Sequence, residues 1–355
     1  MRVIFVVLDG MPARHVGPAV TPRLWALAGE GARFAVGRSV MTSATYPNHA
    51  TFATGAGPEA HGLWANWVQT AGGPLSADRV RPAVPTVFDA CRVARCSSAA
   101  VFGDNHLVGV MGAAAADECW PADGRVPEGV ARDGHDYIAD HEVVPRAVAA
   151  VEQRFDLTVL HLNEPDTFAH VHGPDSDDAL AGYRSTDACF GEIVDAVDLA
   201  DAVVLVVSDH DLEPVTPDAV DLYGPVGEHG LPVVPIPEGT GAMVWGDDPL
   251  GGAWLDRIDG VEAHREVAPG VRLVWGERGR QFALPPGFPA STDKGQHGGM
   301  RTREQVAVVA GGHAAAGATA RGLASRTPAA EDWAATIADL LELALPDATG
   351  RSLLA

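Results

Sequence analysis

VIFVVLDG, residues 3–10, decides the fold: six apolar residues, four of them β-branched, run directly into Asp9 and a glycine. A run this short, apolar at every position, suits a strand covered on both faces, the environment of a parallel sheet. Two further runs share the pattern. LTVLHLN (157–163) leads to Glu164-Pro165-Asp166, and VVLVVS (203–208) leads to Asp209-His210. In an open parallel sheet, ligands bind in the crevice beyond the carboxyl ends of the strands. Asp9, Asp166, Asp209 and His210 are therefore expected to converge, although some two hundred residues separate the first from the last.

Outward from these strands the chain alternates helix and strand. Thr21-Pro22 predicts a helix start, with Thr21 as N-cap and Pro22 at the first helical position, followed by RLWALAGEG and a glycine stop. A strand is expected at 32–40. Helical patterns at 84–94, 143–154 and 176–198 flank strands at 97–103 and 156–163, and a strand at 202–207 ends at Ser208-Asp209-His210. Between Asp211 and about Asp293 the texture turns rich in Pro and Gly, which reads as an insertion or cap over the active-site end of the sheet. EQVAVVAGG (304–312) returns as a core strand, the alanine-rich 313–322 reads as a loop, and AEDWAATIADLLELAL (330–345) closes the chain as an amphipathic helix. The reading is α/β with a mostly parallel sheet: a core from 1–211 and 296–355, and an inserted region at 212–295.

Composition narrows the function classes. With 355 residues, 46% of them hydrophobic, the chain buries a large core and is one large domain or a core with an insertion. No apolar run approaches the roughly 18 residues that cross a bilayer. The first strand begins at Arg2 and leads straight to Asp9, so no cleavable signal is expected and a cytoplasmic location is. Cys91, Cys96, Cys119 and Cys189 show neither a metal spacing nor a disulfide framework. A net charge of −22 disfavours nucleic acid and anionic membrane, both of which need a basic face. Bound cations would cancel part of that excess, a small molecule is the expected partner, and no feature fixes an oligomeric state. Lys294, the only lysine, lies three residues before His297.

Asp166 and His170, four residues apart, share one side of a helical turn and suit one metal ion. Asp209 and His210 are adjacent at a strand end, where the chain turns and both reach a second ion. Asp9 would join that second ion, and His297, in GQHGG, the first. Mixed imidazole and carboxylate ligands fit Zn²⁺ best, with Mn²⁺ or Fe as alternatives. Each residue alone has a plainer role: Asp9 a helix cap, Asp166 a turn residue, His210 a buried imidazole, His297 a loop residue. All of them at strand ends together make a cation site the better reading. Thr45, in TSATYPNHATFATG, is the candidate nucleophile, because a divalent cation lowers the pKa of a coordinated hydroxyl. A helix following it would bring phosphoryl oxygens to a helix N-terminus, although Thr45 also reads as an N-cap. Asn66 in HGLWANW is an amide able to donate to a non-bridging phosphoryl oxygen, or else a turn residue.

The order Asp9 in LDG, Thr45 in TYPNH, HG followed by Asn66, Asp166-x-x-x-His170, Ser208-Asp209-His210 and His297-Gly298 resembles the alkaline phosphatase superfamily. Within it, the nucleotide pyrophosphatase/phosphodiesterase (type I phosphodiesterase) family is the most similar. The resemblance spans residues 1 to about 211 and again from about 296 to the C-terminus, with TYPNHATFATG and PEAHG as its most constrained parts. It implies a three-layer sandwich, one metal held by Asp166, His170 and His297, and another held by Asp9, Asp209, His210 and the Thr45 oxygen. It also implies an equatorial phosphoryl oxygen bound by the Tyr46 N–H and the Asn66 amide, and a two-step displacement through phospho-threonine with retention.

The implied substrate is a nucleotide-like diester or pyrophosphate, with Tyr46 or Trp64 packed on the leaving group. A phosphonoacetate-like C–P hydrolase, with Lys294 or arginines of the inserted region on a substrate carboxylate, is the alternative. A phosphomonoesterase and a metal-stabilised scaffold without turnover are the other readings. Asp211 stands where the family usually has glycine, and Gly299-Met300 where nucleotide-cleaving relatives commonly carry tyrosine-aspartate, so substrate identity stays open.

Overall fold

The computed structural model describes residues 1–33, 36–312 and 326–354. A seven-stranded sheet runs in the order Ala32–Arg33, Ala307–Gly311, Ala202–Val207, Arg2–Leu8, Leu157–Leu162, Ser98–Phe102, Glu118–Trp120. The five strands from Ala202–Val207 to Glu118–Trp120 are mutually parallel, and Ala307–Gly311 runs antiparallel to its neighbours on both sides. The sheet is therefore mostly parallel, as the uninterrupted apolar runs require.

Every residue of Arg2–Leu8 is buried, and the strand divides its side chains by period two. Val3, Phe5 and Val7 meet Phe52, Phe88, Trp333 and Ile337 on one face, while Ile4, Val6 and Leu8 meet Leu24, Val143, Tyr183 and Phe190 on the other. Helices Thr45–Thr54, Val87–Ala94 and Glu331–Leu341 form one outer layer. Pro22–Glu30, Asp140–Glu152 and Asp177–Asp195 form the other. Each large side chain so buried contributes about 1.5–3 kcal/mol over an exposed one, which fixes the strand register and hence where each strand ends.

The stretch 212–295 carries an antiparallel four-stranded sheet in the order Val233–Glu238, Gly241–Gly246, Val271–Gly276, Val261–Ala268. Its two ends meet, because Glu213 pairs with Gln296 and Pro214 with Gly295. The stretch thus leaves the main sheet and returns at one place, beside the carboxyl end of Ala202–Val207.

Three local expectations are corrected. The strand expected at 32–40 is two short pieces, Ala32–Arg33 paired with Val308 and Val309, and Gly37–Arg38 paired with Glu304–Gln305. Thr21 does not cap its helix: its hydroxyl accepts the Gly17 N–H within the preceding turn, although Pro22 does open the helix. The helical patterns at 143–154 and 176–198 are helices Asp140–Glu152 and Asp177–Asp195, the second ending three residues early. The alanine-rich 313–322 lies outside the described residues. Among the described residues no helix is long and apolar enough to cross a membrane.

Candidate metal centre

The carboxyl ends of three neighbouring strands, Arg2–Leu8, Leu157–Leu162 and Ala202–Val207, deliver Asp9, Asp166 and Asp209 to one buried crevice. Backbone conformation makes this approach possible. Gly10 adopts φ +59°, and a Cβ there would sit 2.9 Å from the Asp166 Cα. Its N–H donates to Asp209 Oδ1 at 3.0 Å, tying the ends of two strands together.

Asp166, His170 and His297 form one cluster, with ligand atoms all within 4.8 Å of one another. Helix Glu164–His172 puts Asp166 Oδ1 3.3 Å from His170 Nε2, and the loop after Gln296 brings His297 Nε2 to 4.0 Å. His170 Nδ1 faces the Gly295 carbonyl at 2.9 Å. A carbonyl only accepts, so Nδ1 carries a proton, and Nε2 is the nitrogen turned toward Asp166.

Asp9, Asp209 and His210 form a second cluster under the same limit. His210 Nε2 lies 3.3 Å from Asp209 Oδ2, 3.6 Å from Asp9 Oδ1 and 3.3 Å from Thr45 Oγ1. Thr45 begins helix Thr45–Thr54, capped by extended Ala44, so its hydroxyl sits at the positive end of a fully buried helix. The His210 and His297 rings stack with centroids 3.9 Å apart, which brings the two clusters side by side.

Three carboxylate oxygens in this crevice, Asp9 Oδ1, Asp166 Oδ1 and Asp209 Oδ2, are buried and have no hydrogen-bond donor. Orphaned buried acceptors are costly unless something cationic meets them. The donor set, three carboxylates and three imidazoles, fits two divalent cations. Electrostatics agree. Burial, then the charges of Asp209 and Asp166, push Asp9 well above the usual carboxylate range. Burial likewise raises Asp209 to about 8. Burial would raise Asp166 too, but the neighbouring His170 charge outweighs it and holds Asp166 low. Burial lowers His297 to about 4 and lowers His210 well below its ordinary value, which leaves both imidazoles neutral and able to ligate.

The remaining expected residues are dispersed. Asn66 lies beside Thr45, and its Oδ1 accepts the Tyr46 N–H at 2.9 Å, so the two groups expected to share a phosphoryl oxygen bind each other here. The Tyr46 ring is buried and its hydroxyl engages Asp104 and Tyr137. Trp64 packs with Ile236, Met243, Val271 and Leu273 of the small sheet. Lys294 contributes its backbone, whose N–H donates to the His170 carbonyl at 2.7 Å, while its side chain is exposed. Asp211 turns from the crevice to chelate Arg14, with Nη1 at 2.5 and 2.6 Å from its two carboxylate oxygens.

Sequence reasoning missed three residues. His161 contacts Asp9 Oδ2 at 2.8 Å, His49 contacts the Thr45 carbonyl at 2.8 Å, and Glu238 Oε1 accepts the Asn66 N–H at 3.0 Å. His161 was signalled by an imidazole within an apolar strand, and His49 by its four-residue spacing from Thr45. Glu238 lies in the small sheet and carried no local signal.

A family model described as type I phosphodiesterase / nucleotide pyrophosphatase matches residues 3–226. No curated protein matches. Among solved structures, murine ectonucleotide pyrophosphatase/phosphodiesterase 5, inactive as a threonine-to-alanine variant and in complex with AMP, is similar at TM-score 0.75 and 16% identity, covering 99% of this chain and 97% of that one. The human ectonucleotide pyrophosphatase/phosphodiesterase 5 matches at TM-score 0.75 and 15% identity over 99% and 97% of the two chains. Phosphonoacetate hydrolase from Sinorhizobium meliloti 1021, in complex with phosphonoformate, matches at 0.66 and 18% over 87% and 89%. At these identities the likeness is one of fold.

Proposed function

Because the chain belongs to the type I phosphodiesterase / nucleotide pyrophosphatase family, we propose that it is a two-metal hydrolase cleaving a phosphodiester or pyrophosphate through a phospho-threonine on Thr45. The observation that carries this reading is the placement of Thr45 Oγ1, 3.3 Å from His210 Nε2 at a helix N-terminus, beside carboxylate oxygens that lack any donor. Asp166, His170 and His297 would hold one cation; Asp9, Asp209, His210 and Thr45 would hold the other, with Zn²⁺ best suited to the donors. Bound there, such cations supply Lewis-acid polarisation and lower the pKa of a coordinated hydroxyl or water.

In the first step the Thr45 oxygen forms a bond to phosphorus as the bond to the leaving oxygen breaks, and the proton lost from Thr45 is balanced by one gained at the leaving oxygen. In the second, a water oxygen displaces Thr45, which recovers its proton, and two inversions give retention. The Asn66 amide donates to a non-bridging phosphoryl oxygen, and the Tyr46 N–H does so once that oxygen displaces Asn66 Oδ1 from it. Burial of the crevice excludes bulk water and strengthens these contacts. The stretch 212–295 would act as the specificity-setting cap. The murine neighbour's inactive threonine-to-alanine variant supports a threonine in this role. Cleavage of a phosphonate C–P bond is the second reading, supported by the phosphonoacetate hydrolase neighbour.

A panel on zinc-loaded protein tests the proposal. Bis-p-nitrophenyl phosphate should be hydrolysed well above p-nitrophenyl phosphate, whereas phosphate release from phosphonoacetate alone would move the assignment to the second reading. Thr45→Ala should keep its bound metal yet lose roughly a thousandfold or more in kcat. Retained turnover in that variant would remove Thr45 as nucleophile.

A further inference from the structure

A cavity of about 430 Å³ lies against the Asp166–His170 side of the crevice. Asn105 and His106 line one wall; Arg125, Arg132, His135 and Tyr137, from the segment between Trp120 and Asp140, line the other. Two ring contacts join it to the reacting centre. The His135 ring lies 5.2 Å from that of His170, a candidate metal ligand, and the His106 ring lies 6.2 Å from that of Tyr46, the neighbour of Thr45.

The wall is a built feature. Asp133 Oδ1 accepts the N–H groups of His135 and Tyr137 at 2.9 and 3.0 Å, while its Oδ2 accepts Asn163 Nδ2 and Thr167 Oγ1 at 2.8 and 2.7 Å. The segment is thereby clamped to the helix that carries Asp166 and His170. Two arginines, Arg125 and Arg132, line the cavity against one carboxylate, that of Asp136. Arg125 has no ion pair or side-chain hydrogen bond among the described residues, and Arg132 pairs only with Asp136 of its own loop, at 2.9 Å. Two exposed arginines thus line one small cavity, and a guanidinium group is suited to a planar or tetrahedral anion.

We infer that this cavity receives the leaving group, and that the leaving group carries its own anionic group, a carboxylate or a phosphate, gripped by Arg125 and Arg132. The assignment rests on the hydrolase reading above and deepens it. The cavity's volume lies in the lower part of the range for small-molecule pockets, which favours a compact leaving group over a polymer.

The test compares zinc-loaded wild type with the Arg125→Ala/Arg132→Ala double variant on three diesters or anhydrides: methyl phenyl phosphate, methyl 4-carboxyphenyl phosphate and methyl diphosphate. The readout is the ratio of kcat/KM on each anionic substrate to that on the phenyl ester. We expect this ratio to fall about tenfold in the double variant for at least one anionic substrate, and the Arg→Lys pair to recover part of it. The substrate showing the larger fall identifies the anion as carboxylate or phosphate. Turnover of all three with an unchanged ratio overturns the inference and leaves the hydrolase reading intact. Equilibrium binding of 4-hydroxybenzoate and of methyl phosphate gives a readout that needs no turnover. Affinity weakened about tenfold by the double variant in a protein that turns over none of the substrates would keep the anion site and refute the hydrolase; equal affinity in such a protein would overturn the site as well.

Discussion

His161 shows what a single buried side chain does for the cluster around Asp9. Its Nδ1 faces the Asp104 N–H at 3.4 Å and therefore accepts, so Nε2 holds the proton and donates to Asp9 Oδ2 at 2.8 Å. That leaves Asp9 Oδ1, without a donor, turned toward His210. Replacing His161 by Leu should weaken cation binding at this cluster by about ten- to a hundredfold, and His161→Gln, which keeps a donor, should recover part of the loss. Competition against a chromogenic chelator measures it; equal affinities in all three proteins would reduce His161 to a packing residue. The candidate ligands were legible because each sits beyond an apolar run or in a short motif. His161 and His49 carried a local signal but not their roles, since only tertiary burial reveals which nitrogen of an imidazole is engaged.

At the scale of elements, the small sheet and the sheet crevice meet through Glu238. Its Oε1 accepts the N–H groups of Asn66 and Trp67, holding the loop that presents the Asn66 amide. Gly298 follows His297 with φ +98°, and a Cβ there would lie 1.8 Å from the Glu238 carbonyl, so the loop carrying the candidate ligand His297 needs glycine at this point.

Burial pushes the Glu238 carboxyl up to about 8. A folded pKa above the unfolded one near 4.5 means that the stabilisation belongs to the protonated form. It is complete below about pH 4.5 and is lost as pH rises through about 8. Glu238→Gln, which keeps an acceptor and carries no charge, should therefore gain thermal stability relative to wild type as pH rises from about 5 to about 8. A melting-temperature difference that stays flat across that window would contradict a buried, neutralised Glu238. The strands of this sheet were hidden in the sequence for a physical reason. Pro235 and Pro237 lie in Val233–Glu238, where missing N–H groups are tolerated only because the strand is an edge, and edge position is a tertiary fact.

Over the whole molecule, the central sheet was legible because a parallel strand covered on both faces leaves a continuous apolar signature, as in VIFVVL and VVLVVS. What the signature lacks is lateral order: nothing in either run says that Arg2–Leu8 lies between Ala202–Val207 and Leu157–Leu162. That adjacency brings Asp9, Asp166 and Asp209 together, and the proposed function rests on their meeting beside Thr45. Anomalous diffraction from crystals of zinc-loaded protein measures it directly. Two peaks are expected, one within ligand distance of Asp166, His170 and His297, the other within ligand distance of Asp9, Asp209, His210 and the Thr45 oxygen. A single peak, or two peaks with Thr45 more than about 10 Å from either, would contradict it.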